Sequence, residues 1–249
     1  MGRHSVFGVA VSLVLGVGGL AGAQTAGTTL SPTEIAAACA PSMTLPLKPV
    51  SSLRIVGGQD TRARTLYGVR EIVVVDGGTD DGVQANQEYF IRRQFKFGTG
   101  SKGWQTIHTA GWLRIVSVNA TTALAEIESV CDGVYAGDYL EPFSRPVPVA
   151  DGAPIAFAEL DFSSLARVMF GTAERKMGGP GDLMLVASRQ TTLGPGARVA
   201  IYRDLRSAAV PLTAIGEGVI VSVTDATPLM RITAARDAVV SGDYVVPTK

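Results

Sequence analysis

Short runs of alternating apolar and polar residues recur along this chain and predict β-strands. The alternation is clearest over residues 111–118 and 123–127, where one face of each strand is apolar and the other polar. Stretches rich in glycine, aspartate, asparagine and proline separate the runs. About five or six such strands in ~90 residues suit a small closed β-barrel or sandwich, because closure protects the edges of a sheet.

The same strand pattern occurs twice, at an offset of 105 residues. Between residues 110 and 142, 14 of 33 positions are identical to their counterparts between 215 and 247. Identity at this density and without gaps indicates an internal duplication. The longest shared turn motif is Gly137, Asp138 and Tyr139 in the first copy and Gly242, Asp243 and Tyr244 in the second.

The match continues towards the N-terminus with small changes in length. The aligned ranges are 54–56 with 167–169, 67–68 with 177–178, 72–75 with 183–186 and 89–93 with 199–203. The segment between the second and third strands is longer in the first copy than in the second. Both copies are therefore predicted to fold on one plan.

The duplication and the composition divide the chain into five parts. We predict a signal peptide (residues 1–23), an N-terminal extended segment (24–52), module 1 (53–142), a proline-rich linker (143–154) and module 2 (155–249). Within the N-terminal segment, Ser31-Pro32-Thr33-Glu34 resembles the start of a helix. The expected fold class is all-β, with two tandem barrel or sandwich modules.

The first residues have the pattern of a secretory signal. Arg3 and His4 precede an apolar run over residues 6–20, and small residues at Ala21 and Ala23 favour cleavage before Gln24. The run is shorter than the ~20 residues that cross a bilayer. We therefore expect an exported protein, periplasmic or associated with the outer envelope, with no transmembrane span in its mature chain.

The charge balance argues against one class of partners. The chain has 22 lysines and arginines and 22 aspartates and glutamates. No overall field therefore draws it to nucleic acid or to anionic lipid.

Two cysteines, Cys39 and Cys131, are present. In an oxidising compartment an even pair favours a disulfide, which would tie the N-terminal segment to module 1. The alternative is two buried thiols that act as small apolar groups. Two cysteines and one mature histidine do not make an ordinary structural zinc site, and we expect no metal and no cofactor.

The glycine and aspartate of the repeated tripeptide predict tight turns. Glycine permits a positive φ and aspartate bonds to nearby backbone amides. We therefore interpret Asp138 and Asp243 as turn residues and not as an acid–base pair. Arg93 and Arg203 also recur, and three roles are open for them: a repeated salt bridge, an exposed strand end, or a ligand contact.

The order of these motifs resembles a region found downstream of LysM domains in Gram-negative envelope proteins. That region has a Tyr-Gly before an apolar strand, then Y-x-I-x-R, then G-x-L-R-I-V-x-V, and it closes on V-x-x-G-D-x-L-x-P. Module 1 has these motifs at residues 67–68, 71–75, 89–93, 110–118 and 134–142. More loosely, it is similar to the C-terminal β-barrel domain of flagellar assembly protein T. The resemblance implies a β-module without catalytic residues, and this chain has no LysM domain.

Catalytic motifs are scarce in the sequence. Acyl transfer needs a nucleophile beside a base, and the mature chain has His108 alone and no Gly-x-Ser-x-Gly elbow. The glycine-rich stretches at residues 98–103 and 178–181 lack the order of a phosphate-binding loop. Residues 76–82 are acidic, but they do not have EF-hand spacing and have no acidic counterpart in module 2, so we interpret them as an acidic hairpin loop.

The insertion of module 1 is the candidate binding loop. It combines aromatic and cationic side chains around several glycines, a composition that suits stacking on sugars or peptides. The alternative is that the aromatic rings fold back over the barrel end or the linker, which we favour. The loop residues are Phe95, Lys96, Phe97, Lys102, Trp104 and His108.

These observations predict a non-catalytic binding and scaffolding protein of the cell envelope. Its partner would be another envelope protein or a cell-wall glycan. Two rival classes are a glycan-cleaving enzyme, which requires paired carboxylates in a cleft, and a subunit of an extracellular fibre or appendage, which requires an open apolar sheet edge.

Overall fold

A computed structural model describes residues 29–44, 51–60, 64–96, 105–152, 159–187, 193–205, 212–224 and 227–249. The N-terminal strap, residues 29–44, contains helix α1 (Pro32–Ala38) and strand β1 (Ser42–Thr44). Ser31 caps the helix: its hydroxyl accepts from the Glu34 backbone N–H, and the Glu34 carboxylate accepts from the Ser31 N–H. The predicted helix start is therefore present. No helix of the described segments is long and apolar enough to cross a membrane.

The described residues of module 1 form eight strands. They are β2 (Ile55–Gly58), β3 (Leu66–Tyr67), β4 (Ile72–Val75), β5 (Glu88–Lys96), β6 (Gln105–Val118), β7 (Ala123–Val130), β8 (Val134–Tyr135) and β9 (Tyr139–Pro142). The main sheet is curled, with the order β2-β4-β7-β6-β5-β9, and β1 pairs with the beginning of β6. An antiparallel bridge between Arg54 and Tyr139 links its two end strands. Strands β3 and β8 form a separate two-stranded sheet.

Module 2 repeats this plan. Its strands are β10 (Ala166–Gly171), β11 (Met177–Gly178), β12 (Leu183–Ala187), β13 (Arg198–Asp204), β14 (Leu212–Thr224), β15 (Thr227–Ala235), β16 (Val239–Val240) and β17 (Tyr244–Pro247). They form a closed barrel in the order β10-β12-β15-β14-β13-β17, and β11 pairs with β16. Because this order matches module 1 strand for strand, the prediction of two tandem all-β modules is confirmed.

Each module has its own apolar core, built from equivalent positions of the repeat. Ile115 and Ile127 lie in the core of module 1, and their counterparts Ile220 and Ile232 lie in that of module 2. All four side chains are fully buried. Alternation along each strand directs one face into the barrel, and burial of this apolar face drives closure.

The strand pairing corrects the sequence alignment by one residue. Tyr67 pairs with Val134 and Gly178 with Val239, so Tyr67 corresponds to Gly178 and not to Met177. The Tyr67 ring is buried against Gly58, where a Cβ would lie 2.8 Å from the ring. The short glycine-rich strands carry too little pattern to set their own register.

Two predicted loops differ in the structure. The stretch over residues 76–82 is not a hairpin, because β4 and β5 are not neighbours in the sheet. It forms a 3₁₀ turn (Thr79–Asp81) whose Asp81 carboxylate accepts from the Gly78 N–H. Strands β5 and β6 also extend further than predicted, so His108 lies on a strand and pairs with Arg93. Strand β1 stabilises this extension, because it pairs with residues 105–107 of β6.

Gly111→Ala is expected to lower the free energy of unfolding of module 1 by about 2 kcal/mol, as other overpacking substitutions do. A Cβ at Gly111 would lie 2.1 Å from the Ser129 carbonyl oxygen of the paired strand β7. In module 2 a Cβ at the equivalent Gly216 would lie 2.5 Å from the Ala234 carbonyl oxygen. The measurement is urea unfolding followed by tryptophan fluorescence, which reports on module 1 because both tryptophans, Trp104 and Trp112, belong to it. Equal effects of Gly111→Ala and the control Gly68→Ala, where a Cβ has room, would contradict the prediction.

Candidate functional site

The repeated Gly-Asp-Tyr motif forms a buried ionic cluster in module 1. The Asp138 side chain is 3% exposed. Its Oδ1 accepts from Arg93 Nε at 2.7 Å, and its Oδ2 accepts from Arg93 Nη2 at 2.6 Å and from the Tyr135 backbone N–H at 2.9 Å. The Arg93 guanidinium also lies over the Tyr135 ring, 4.4 Å from its centroid. Such a bidentate pair joins β5 to the turn before β9.

Module 2 contains the same cluster. Asp243 accepts from Arg203 Nε and Nη2, each at 2.9 Å, and from the Val240 N–H at 2.7 Å. Here Arg203 also donates to Asp237 at 2.6 Å, and the hydrogen bond that Arg203 donates to Asp243 is the main cause that raises the pKa of Arg203. The structure therefore assigns the recurrent arginines to a salt bridge. In both modules the carboxylate oxygens are occupied by internal donors.

The turns have the predicted glycine conformation. Gly137 has φ +96° and Gly242 has φ +97°, a region that glycine adopts without a Cβ penalty. Their carbonyl oxygens accept from a second pair of equivalent arginines, Arg54 at 3.0 Å and Arg167 at 2.8 Å. The repeated motif therefore forms a structural cross-link in each module.

The structure describes only part of the candidate binding loop. Phe97, Lys102 and Trp104 lie outside the described residues, as does the side chain of Lys96. Phe95 is 41% exposed, and its ring contacts the edge of His108 with centroids 4.8 Å apart. The visible part thus places one aromatic ring at the surface of the β5–β6 hairpin, next to the junction with module 2.

His108 faces this junction. Its Nε2 lies 3.7 Å from Glu174 Oε1 of module 2 and has no hydrogen-bond partner within the described part of the chain. A small cavity of about 60 Å³ lies here, lined by Cys39, Pro41, His108, Thr109, Cys131, Asp132, Thr172 and Ala173. A single imidazole beside one exposed carboxylate lacks the nucleophile that covalent catalysis needs.

The N-terminal strap holds the two modules together. Cys39 and Cys131 are joined in a disulfide that anchors it to module 1. Leu30 and Ala38 pack on Phe90 and Trp112 of module 1. The next residue after the disulfide, Ala40, packs in a cluster on the outer face of module 2. The strap therefore contacts both modules.

The linker between the modules is packed against its surroundings as well. Val149 joins the outer apolar cluster of module 2, and Asp151 accepts from Arg231 Nε at 2.8 Å. Phe143 lies 4.6 Å from the Phe90 ring in module 1, centroid to centroid. The described part of the linker is therefore part of the interface between the modules and not a free spacer.

A salt bridge closes the strap over the linker. The Glu34 side chain accepts from Arg145 Nε at 2.6 Å and from the Ser31 N–H at 2.8 Å. These hydrogen bonds, that from Arg145 foremost, lower the pKa of Glu34 to about 2. The carboxylate therefore stays ionised throughout the neutral and mildly acidic range.

Glu34→Gln is expected to destabilise the protein at pH 7 by a margin that disappears in acid. The folded pKa of about 2 is below the unfolded value of about 4.3, so the stabilisation is present above pH ~4.3 and is lost as the pH falls through 2. Melting temperatures of both proteins at pH 7, 4 and 2 provide the measurement. Because Arg145→Gln removes the same pair from the other side, it should show the same pH dependence; a gap that persists at pH 2 would contradict the assignment.

A depression of the described surface lies in module 2. It is an open groove of about 690 Å³, here called the basic groove, between β11 and the loop that precedes β16. Its walls carry three cations, two carboxylates, an exposed methionine and backbone: Arg175, Lys176, Met177, Gly178, Gly179, Pro180, Asp182, Ala235, Arg236, Asp237 and Ala238.

At the equivalent place of module 1, Leu66 and Tyr135 lie close to Gly133, where a Cβ would lie 2.7 Å from Leu66 and 3.0 Å from Tyr135. In module 2 these positions are Met177, Val240 and Ala238. Leu66 and Met177 are similarly exposed, at 52% and 60%, so the modules differ here chiefly by the smaller valine in place of the tyrosine ring.

Sequence reasoning missed the basic groove. Its two walls are separated by more than 50 residues, and no motif marks either of them. One signal was available: Thr65 and Cys131 of module 1 correspond to Lys176 and Arg236 of module 2. This gain of two cations at otherwise repeated positions distinguishes the copies.

Comparisons with known proteins add no family to this description. No protein-family model matches the chain, and no curated protein is similar to it. Among the described residues, no group of three or more histidines, cysteines, aspartates or glutamates is placed to hold a metal ion.

Proposed function

We propose that this is a non-catalytic binding and scaffolding protein of the bacterial cell envelope that acts through its paired β-modules. The partner is another envelope protein or a cell-wall glycan. The observation that carries the proposal is the strap, which is bonded to module 1 through Cys39 and packs on module 2 through Ala40. Two barrels fixed by one segment present their surfaces in a constant relation, which suits a scaffold.

The use of the repeated polar residues supports a binding role over an enzymatic one. The duplication preserved Asp138 and Arg93 as an internal cross-link, with both carboxylate oxygens engaged. A glycan-cleaving enzyme needs two carboxylates on either side of a bond, with one of them kept protonated. In each module the repeated aspartate instead accepts two hydrogen bonds from its arginine inside the fold.

The location in the envelope rests on the sequence. The basic start, the short apolar run and the Ala-x-Ala site are typical of a cleaved export signal. The disulfide between Cys39 and Cys131 is consistent with an oxidising compartment. The likeness of the strand motifs to the region that follows LysM domains in envelope proteins supports the same location.

Cell fractionation tests the location. The full chain, with a C-terminal epitope tag, is expressed in a Gram-negative host, and the mature protein is sequenced from its N-terminus. We expect it in the periplasmic or outer-envelope fraction, starting at Gln24. Recovery in the cytoplasm with an intact N-terminus would refute the envelope role.

Sedimentation with purified peptidoglycan sacculi tests the glycan partner and the absence of catalysis together. We expect the protein to leave the sacculi intact, and release of soluble fragments would favour the enzyme. Retention that is lost in Trp104→Ala would identify the β5–β6 loop as the glycan-binding element. Equal retention of Trp104→Ala would show that this loop does not bind the glycan, and absence of retention for both proteins would favour an envelope protein as the partner.

A further inference from the structure

We infer that the basic groove of module 2 binds an extended peptide segment that carries two or more carboxylates. This inference rests on the proposed function, and it specifies the partner as an acidic stretch of another protein. Three features carry it: the free cations of the groove, the unpaired backbone of its floor, and the absence of both cations from module 1.

Among the described residues, two of the three cations of the groove are unpaired, whereas Arg175 and both carboxylates have partners within the protein. Asp182 accepts from the Gly179 N–H at 2.9 Å and pairs with Arg175 at 3.3 Å. Asp237 accepts from Arg203 at 2.6 Å and from the Ala238 N–H at 2.7 Å.

The other two charged side chains of the groove are those of Lys176 and Arg236. Both are exposed, and within the described ranges neither side chain has an ion-pair or hydrogen-bond partner. The groove therefore presents two positive charges that the described chain leaves unpaired, and its three cations outnumber its two carboxylates, so the surface is complementary to an anionic ligand.

The floor of the groove favours an extended polypeptide. Strands β11 and β16 form a two-stranded sheet, to which no further strand of the described chain is added. Ser241 N–H donates to the Lys176 carbonyl, so Met177 occupies a non-hydrogen-bonded position, and its own N–H and C=O point away from β16. An incoming extended chain can pair with this edge. A glycan has no regular alternation of donors and acceptors to match it.

The two modules use this region differently. The sheet of β3 and β8 in module 1 has the same geometry, but its flanking positions are Thr65 and Cys131, and Cys131 is bonded to the strap. Module 1 has thus used this region for an internal contact. Module 2 keeps it open and charged.

Fluorescence anisotropy with labelled tetraglutamate tests the inference on the purified mature protein. We expect saturable binding at low salt that is weakened severalfold at about 1 M salt, where the Debye length falls to about 3 Å. Lys176→Glu and Arg236→Glu should each reduce the affinity about tenfold, because each reversal replaces an attraction by a repulsion. Tetraglutamine should bind much more weakly.

Lys249→Glu is the matched control. It makes the same change of charge beyond the far end of β17, where Lys249 pairs with Glu159, and it should leave the affinity for tetraglutamate within about twofold of the original, since its effect is screened by distance. Circular dichroism of all variants checks that the fold is retained.

Two outcomes would overturn the inference: tetraglutamate that fails to bind, or that binds equally well to the two groove variants. Equal binding of inorganic tetraphosphate would show a general anion site and refute the peptide. These results are independent of the proposed function, because the assay contains no envelope component. If the protein is periplasmic but does not bind tetraglutamate, the inference about the groove fails and the proposed scaffolding role stands.

Discussion

Asp138→Ala is expected to lower the free energy of unfolding of module 1 by about 3 kcal/mol. This substitution removes the carboxylate that accepts from the Arg93 guanidinium and from the Tyr135 N–H, and it leaves Arg93 with the Gly133 carbonyl as an acceptor but without a counter-charge. Removing one partner of a buried ion pair typically costs 3–5 kcal/mol, and we expect the lower end because the Arg93 side chain is 22% exposed. We expect the substitution to weaken the closure of the sheet of module 1, since the pair joins β5 to the turn before β9.

Urea unfolding followed by tryptophan fluorescence measures this effect. Asp80→Ala, which removes a carboxylate from an exposed turn of the same module, should change the free energy of unfolding by no more than about 0.5 kcal/mol. The repeat offers a second comparison, followed by circular dichroism because both tryptophans lie in module 1: Asp243→Ala removes the equivalent carboxylate from module 2 and should cost less there, because Arg203 keeps Asp237 as a partner. A loss for Asp138→Ala no larger than that for Asp80→Ala would show that the cluster does not stabilise the fold.

Loss of the disulfide is the second large effect we expect. Replacing Cys39 and Cys131 by serine should lower the free energy of unfolding by about 3 kcal/mol, because the bond closes a loop with a sequence separation of 92 residues. The bond limits the conformations of the unfolded chain and holds the strap on Phe90 and Trp112. The strap should therefore also become the first segment cut in limited proteolysis.

The measurement compares urea unfolding of the original protein with and without a reducing agent. Reduction should reproduce the destabilisation of the double serine variant, which itself should not respond to the reducing agent. The single variant Cys131→Ser isolates any effect of the remaining thiol. If the double variant unfolds at the same urea concentration as the oxidised protein, the strap is held by packing alone.

The two modules have kept one framework and acquired different surfaces. In module 1 the region around Cys131 is covered by the strap, and the space near Gly133 is filled by Leu66 and Tyr135. In module 2 the equivalent region is open and carries Lys176 and Arg236. This division, with one copy stabilised from within and the other left accessible, is a physical basis for a binding scaffold made by duplication.

The amino-acid sequence by itself determined the all-β class, the duplication, the turn glycines and the helix start at Ser31. These features are local or repeated: alternation has a period of two residues, a positive φ belongs to a single glycine, and a capping box spans four residues. Equal spacing in both copies then showed that the local signals belong to one plan.

Only the tertiary structure decided which groups meet. Arg93 and Asp138 are 45 residues apart, and the walls of the basic groove are further apart still. Closure of the barrel brings such residues together, and the sequence carries no short-range mark of that. The same reason explains the extension of β5 and β6 past the predicted strands, since β1 pairs with β6 from more than 60 residues away. The basic groove therefore could not be predicted before the pairing of the strands was known, although the strands themselves could be predicted from the sequence.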